Sequence, residues 1–298
     1  MTWRTIILTK DSKLSLRMNH LVVKSDTTTT IPISEIGQVI IENPNITMTG
    51  HILNALSPAK VTVILCDERP MPFSQLNLIY GEDRRPQVIK QQMNWTDCLK
   101  GELWKEIVKE KIQNQKEALL FINKRENLNK FTQYINEVEA FDKTNREGHA
   151  AKIYFNHMFG LGFKRGASDA INWALNYGYS LLLSLFTRTI IAKGFLTEIG
   201  IHHSSQFNHY NLASDFMEVY RPIVDVIVKQ HIAEDFGRYE KRRLLNLFNK
   251  KVMIKNRKQY IPNSIEIYVD GLLKFLDSGN RDLLAFPNLF GIEGERNV

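Results

Sequence analysis

Cysteine is nearly absent from this 298-residue chain: Cys66 and Cys98 stand far apart, without the spacing of metal ligands. Both are read as reduced thiols, one of them a small apolar filler. Long apolar runs are missing too. The most apolar stretch, residues 181–192, is interrupted by Thr187 and Arg188 and is too short to span a bilayer. The opening MTWRTIILTKDSK lacks a basic region followed by an apolar run, so no secretory leader and no membrane contact are expected. The protein is therefore assigned to the cytoplasm. The first third contains no repeat, no low-complexity tract and no glycine motif for a nucleotide. No serine, tyrosine or cysteine stands out as a protein nucleophile.

What is present describes a soluble globular protein, with 43% apolar and 24% charged residues and enough length for two domains. The net charge is +7, and nearly all of it has one address. Residues 238–258 hold nine Lys/Arg against the single acid Glu240, a local +8, which leaves 7 − 8 = −1 for the rest. Such a patch is the footprint of a polyanion partner, with a solvated helix surface as the plainer alternative.

Periodicity divides the chain in two. Residues 3–49 read as β, with WRTIILT, KLSLRM, HLVVKS, TTTTIPI and GQVIIEN as short runs separated by polar breaks. A short helix over 50–59, a buried strand at 61–66 and a further strand over 71–79 follow. Gly81, four charges and Pro86 place a linker near Gly81. Beyond it the pattern is helical. Leu99, Leu103, Trp104, Ile107, Val108 and Ile112 form a stripe on a long helix that runs toward residues 118–122. Further helices are expected at 126–141, from Thr144, and at 168–193, 212–233, 238–250 and 262–277. GLGFKRG, residues 160–166, reads as a C-cap and loop, with a phosphate cradle the weaker alternative. The tail from Asn280 is expected to be loosely ordered alone and to dock on a partner. The expected fold is α+β: a small β-rich domain, 1–81, before a larger all-helical domain, 82–298.

Residues 200–222, GIHHSSQFNHYNLASDFMEVYRP, combine a histidine pair, a polar loop and an acid-bearing helix. Asp215, Glu218 and Asp225 fall on one stripe of that helix, within about 80° of one another. The stripe could face solvent, pair with Arg221 and other cations, or hold a metal. Pro222 has no N–H for the carbonyl of Glu218, so the backbone is disturbed there. Elsewhere Thr144-Asn145-Arg146-Glu147 fits a T-x-x-E capping box, and local sequence alone favours that role for Glu147.

Three stretches carry a resemblance. G-x-x-H at residues 200–203, twelve residues before D-F-M-E-V-Y-R-P at 215–222, resembles the signature of the CRISPR-associated integrase family. NREGHAAKIYF, 145–155, resembles the segment supplying that family's first acidic ligand, and GASDAINWALNYGYSLL, 166–182, its Asn-rich helix. The resemblance implies Glu147, His203 and Glu218 as the catalytic metal ligands, with the twelve-residue gap selecting His203 over His202. Asp215 would orient His203 or a water. Two carboxylates and an imidazole suit Mg²⁺ or Mn²⁺, and these residues alone do not exclude Zn²⁺.

The implied activity is insertion of a spacer, in which the 3′-hydroxyl ends of protospacer DNA attack the CRISPR repeat. The implied assembly is a homodimer joined to a smaller CRISPR-associated partner protein on double-stranded DNA. Lys241, Arg242, Arg243, Lys250 and Lys251 are the candidate DNA contacts. The alternatives are a metal-dependent nuclease on branched or free DNA ends, and a non-catalytic architectural DNA-binding protein.

Overall fold

The computed structural model describes residues 4–59, 61–67, 72–76, 84–232 and 235–291. The chain divides into two compact units, Met1–Gly81 and Glu82–Val298. The linker expected near Gly81 and the ends of the strand expected over 71–79 lie outside the described residues.

The first unit contains β1 (Arg4–Leu8), β2 (Lys13–Arg17), β3 (His20–Lys24), β4 (Thr28–Pro32), β5 (Ile36–Ile41), β6 (Thr47–Met48), α1 (Gly50–Leu56), β7 (Thr62–Cys66) and β8 (Pro72–Leu76). They form two four-stranded sheets, ordered β1-β5-β7-β8 and β4-β3-β2-β6. In the first, β5 lies between β1 and β7, parallel to both. A central parallel strand is covered on both faces, which is why β5 reads IGQVII with scarcely a polar interruption. In the second, β2 and β3 form a hairpin whose turn residues Met18 and Asn19 are both left-handed, the conformation that matches strand twist. Leu14, Leu21, Ile36, Val39, Ile52 and Leu56 are among the side chains that close this unit's core.

The second unit is built on helices: α2 (Arg85–Met93), α3 (Asp97–Phe121), α4 (Leu128–Glu137), α5 (Arg146–Phe159), α6 (Ala170–Ala192), α7 (Asn211–Met217), α8 (Arg221–His231), α9 (Arg238–Leu245) and α10 (Ile261–Ser278). The α+β expectation holds. One element was not foreseen, a hairpin of β9 (Lys251–Ile254) and β10 (Arg257–Tyr260) turned by left-handed Lys255 and Asn256. The expected stripe lies on α3, where Leu103, Trp104, Ile107, Val108 and Ile112 are all buried. α6 and α8 approach closely because Gly178 has no side chain; a Cβ there would stand 2.4 Å from Val224 Cγ1.

The tail corrects an expectation. Up to Gly291 it docks on its own unit: Asn288 exchanges backbone hydrogen bonds with Met253 (2.8 and 3.1 Å), and Ala285 and Leu289 are buried. Phe286 packs on Tyr268 and Phe290 on Phe121, so the apolar residues that suggested a partner are spent within the unit. Gly160 ends α5 with φ 104°, its N–H reaching Asn156 O at 3.0 Å, as a C-cap.

Candidate active site

The polar loop between α6 and α7 is tied down by side chains from three directions. Gln92, buried at the end of α2, donates to Leu196 O (2.8 Å) and Ile199 O (3.1 Å) and accepts from Leu196 N (2.8 Å). Asn211, opening α7, donates to Glu198 O (2.9 Å) and Ser205 O (3.0 Å). Asp215 then accepts the amides of Ile201 (2.7 Å), His202 (3.1 Å) and His203 (3.0 Å). Gly200 is needed here. A Cβ would meet His203 O at 2.4 Å and Asp215 Oδ2 at 2.6 Å.

This loop gives the two histidines different tasks. His202 stacks flat on Trp104, with ring centroids 4.1 Å apart and planes within 5°. His203 turns its Nδ1 to Asp215 Oδ1 at 2.5 Å, which leaves Nε2 as the ring's outward nitrogen. That hydrogen bond outweighs the opposing effect of burial and holds the His203 imidazole above its ordinary pKa.

Glu147 lies in the first turn of α5, but it is not the capping residue that T-x-x-E suggested. The cap belongs to Asn145, whose Oδ1 accepts from Gly148 N at 3.2 Å, and to Asp142, which accepts from Arg146 N (2.8 Å) and Glu147 N (2.9 Å). Thr144 Oγ1 is buried with no hydrogen-bond partner among the described residues. A left-handed Asn145 shifts the helix start by one residue, and that shift points Glu147 toward α3.

The expected continuous helix over 212–233 is interrupted where the acids lie. A 3₁₀ turn, Glu218–Tyr220, separates α7 from α8, and Pro222 occupies the first turn of α8. Asp215, Glu218 and Asp225 are 0%, 3% and 1% exposed, which removes the solvent-facing reading of their stripe. Each has its own partners. Asp225 accepts from the phenols of Tyr154 (3.0 Å) and Tyr179. Burial pushes the Asp225 carboxyl up to about 6 despite these bonds, and holds both phenols well above their usual range.

Glu218 meets two cations. Its Oε1 lies 2.9 Å from Arg221 Nη2, and its Oε2 lies 2.5 Å from Lys111 Nζ. The same Lys111 ammonium bonds Glu147 Oε1, so one buried cation from α3 joins the two glutamates. Burial alone would raise the Glu218 carboxyl, but Arg221 and then Lys111 outweigh it and keep the group ionised below the usual carboxylate range. Among the described residues no three His, Cys, Asp or Glu side chains are grouped as an ion's ligands. Glu147 and Glu218 converge, while His203 is held on Asp215, close enough for both glutamates' charges to act on its ring. The donor chemistry suits a hard divalent cation: two carboxylates already turned to one positive charge, beside an imidazole with one nitrogen fixed.

Lys111 was missed from the sequence, although a signal was present. It sits three and four residues beyond Val108 and Ile107, inside the apolar stripe, where an unpaired lysine is too costly to bury. The Asn-rich helix also has a local task. Asn172 donates to Lys164 O (2.9 Å), while Arg165 reaches Asn172 (3.0 Å) and Asn176 (2.7 Å), fixing the glycine-rich turn on α6.

The basic patch folds as α9, a 3₁₀ turn and the hairpin, with Leu244, Leu245, Leu247 and Phe248 buried beneath. Arg242 and Arg243 are exposed, the latter laid over the Tyr239 ring. Lys241 is half-buried over Tyr177 and Phe236. Lys250 and exposed Lys251 edge a small apolar hollow with Phe121, Ile223 and Leu289. No described helix is long and apolar enough to cross a membrane.

Fold and site together define a class, a β-rich unit followed by a helical unit carrying convergent acids beside an acid-held histidine. The family model for "CRISPR associated protein Cas1" matches residues 5–258, and the chain belongs to that family. It is similar to the CRISPR-associated endonuclease Cas1 of Neisseria meningitidis serogroup C (strain 8013), at 35% identity over 229 residues, 76% of this chain and 75% of the relative. Among solved structures, a casposase bound to integration product matches with a TM-score of 0.79 at 20% identity, over 100% of this chain and 96% of that one. A chain of a Cas6-RT-Cas1–Cas2 complex matches with a TM-score of 0.70 at 20% identity, over 94% of this chain and 36% of that one. These two likenesses concern the fold.

Proposed function

We propose that this chain is the metal-dependent integrase of CRISPR spacer acquisition, with Glu147, His203 and Glu218 as ligands of Mg²⁺ or Mn²⁺. The observation that carries the reading is the convergence of Glu147, from α5, and Glu218, from the 3₁₀ turn, on a single buried cation beside His203. When bound, a divalent ion supplies a Lewis acid that polarises the scissile phosphodiester and steadies charge on the attacking or leaving oxygen.

The chain's own residues prepare the site. Asp215 fixes the His203 ring through Nδ1 and the loop through three amides, so Nε2 is presented without a conformational search. Arg221 keeps Glu218 ionised. Tyr154 and Tyr179, two phenols beside the acid-bearing helix, are buried and committed to Asp225. A phenol held well above its ordinary pKa is a poor nucleophile. That supports the 3′-hydroxyl of a protospacer end as the attacking group in a transesterification. The substrates are double-stranded protospacer and CRISPR-repeat DNA. A homodimer with a smaller CRISPR-associated partner would hold them, in keeping with the Cas1–Cas2 complex to which one structural relative belongs.

The word endonuclease in the relative's name supports a second reading, hydrolysis with water as nucleophile. Protospacer DNA ending in a 3′-deoxy sugar separates the two. With a repeat-bearing plasmid, Mn²⁺ and the partner protein, 3′-hydroxyl DNA is expected to be joined without ATP, and 3′-deoxy DNA to bind but not join. Equal nicking by both DNAs, with no label transferred, would replace the integrase with the hydrolytic nuclease.

A further inference from the structure

Neither the motif nor the ligand set explains Lys111. It is 8% exposed, on the α3 face that also buries Trp104, Ile107, Val108 and Ile112. Its ammonium lies between Glu147 Oε1 and Glu218 Oε2, the oxygens proposed above to hold the ion. Glu218's other oxygen is taken by Arg221 at 2.9 Å. The two carboxylates are therefore matched by two cations.

A divalent ion added to this balanced group would bring two uncompensated positive charges into a poorly solvated place, directly against Lys111. The conflict is relieved if Lys111 withdraws and an anion enters together with the ion. Lysine suits that exchange, because its charge sits on a flexible four-carbon stem and can move while the helix stays in place. A DNA phosphodiester is the anion the proposed reaction provides.

We propose that Lys111 is a stand-in cation: it holds Glu147 and Glu218 together in the metal-free protein, and yields the position when a DNA phosphate arrives. Metal and phosphodiester then bind cooperatively, and the site takes up little metal without DNA. This deepens the metal-dependent reading above and rests on it.

The test is Mn²⁺ binding to the full-length protein, followed by electron paramagnetic resonance of free Mn²⁺. It is run with and without a short duplex bearing 3′-hydroxyl ends, and corrected for Mn²⁺ taken up by the duplex alone. Wild-type protein is expected to bind Mn²⁺ at least about tenfold more tightly with duplex present, a coupling of about 1.4 kcal/mol. Lys111→Met should bind Mn²⁺ alone at least about tenfold more tightly than wild type, with most of the duplex-dependent gain lost. Its melting temperature without metal should fall, because two glutamates are left facing each other, and Mn²⁺ should raise it more than in wild type. Lys111→Gln is the second variant should the Met form fail to fold.

A purely structural ion pair predicts the lower melting temperature but no gain in Mn²⁺ affinity, and that result would overturn the proposal. So would wild-type protein that binds Mn²⁺ equally well with and without duplex, whatever the variants do. Absence of Mn²⁺ binding in every arm would overturn the metal reading itself, and this proposal with it.

Discussion

His203 and His202 are adjacent, yet the structure gives them unrelated surroundings, an aspartate for one and an indole face for the other. Under the proposed function His203→Ala, Glu147→Ala and Glu218→Ala should each abolish strand joining, and double variants should lose little more, because the three act on one ion. His202→Ala should retain joining at a reduced level. A labelled-end joining assay with circular dichroism as the fold check reads all four. Gly200→Ala belongs with these residues. Its added methyl group would displace His203 O or the Asp215 carboxylate, at a cost of about 1–3 kcal/mol in urea unfolding.

A different residue on α3 governs a pH effect. Burial first, then Glu117 and Glu106, push the Glu110 carboxyl up to about 7 from its ordinary 4.5. The folded protein then holds a proton that the unfolded chain has released between those values. Stability should fall as pH rises from about 4.5 to 7, and Glu110→Gln should flatten that part of the curve. Urea unfolding of both proteins at pH 5 and pH 8 is the measurement. The variant's advantage should appear at pH 8 and vanish at pH 5.

At the scale of elements, the start of α5 decides where Glu147 points. Asp142 holds two of the orphan amides there, so Asp142→Ala should cost about 1–2 kcal/mol in thermal or urea unfolding. A loss in joining beyond that stability change would indicate that the helix start also aims Glu147. The basic element makes a separate prediction. Neutralising Lys241, Arg242 and Arg243 together should weaken binding to all duplex sequences alike. The slope of log affinity against log salt should flatten by about 0.9 for each DNA phosphate that is no longer neutralised. Lys241 lies over two aromatic rings, so Arg242 and Arg243 are expected to carry most of that change, and fluorescence titrations of single variants would rank them. An unchanged slope would assign the patch to solubility or to a protein partner.

For the whole molecule, the division into units sets what each part can do alone. Lys111, Glu147, His203, Asp215, Glu218 and Arg221 all belong to the unit Glu82–Val298. If that unit folds by itself, it should show the same Mn²⁺-dependent rise in Tm as the full chain in the presence of duplex. Differential scanning fluorimetry of the 82–298 fragment checks this, and a missing rise in a folded fragment would mean that the first unit contributes to the site.

The sequence by itself determined the α+β class and most of the elements, though not the β9–β10 hairpin or the break at Glu218–Tyr220. Short runs rich in Ile, Val, Leu and Thr in residues 3–49 and three- and four-residue spacing beyond Pro86 are local properties, which chain neighbours impose before any long-range contact forms. The stretch at 200–222 is likewise local, since Gly200, His203 and Asp215 meet within one loop and the helix after it, but its reading as a metal site came from the family resemblance. Tertiary structure decided the rest. Local sequence left Glu147 as a cap, Asp225 on an undecided stripe, the tail seeking a partner, and Lys111 unnoticed in an apolar face. Lys111 meets Glu147 across 36 residues and Glu218 across 107, separations at which no periodicity operates. Only packing α3 against α5 and the 3₁₀ turn brings those charges together. Burial then makes their pairing obligatory, because an ionised group deprived of water must find its opposite.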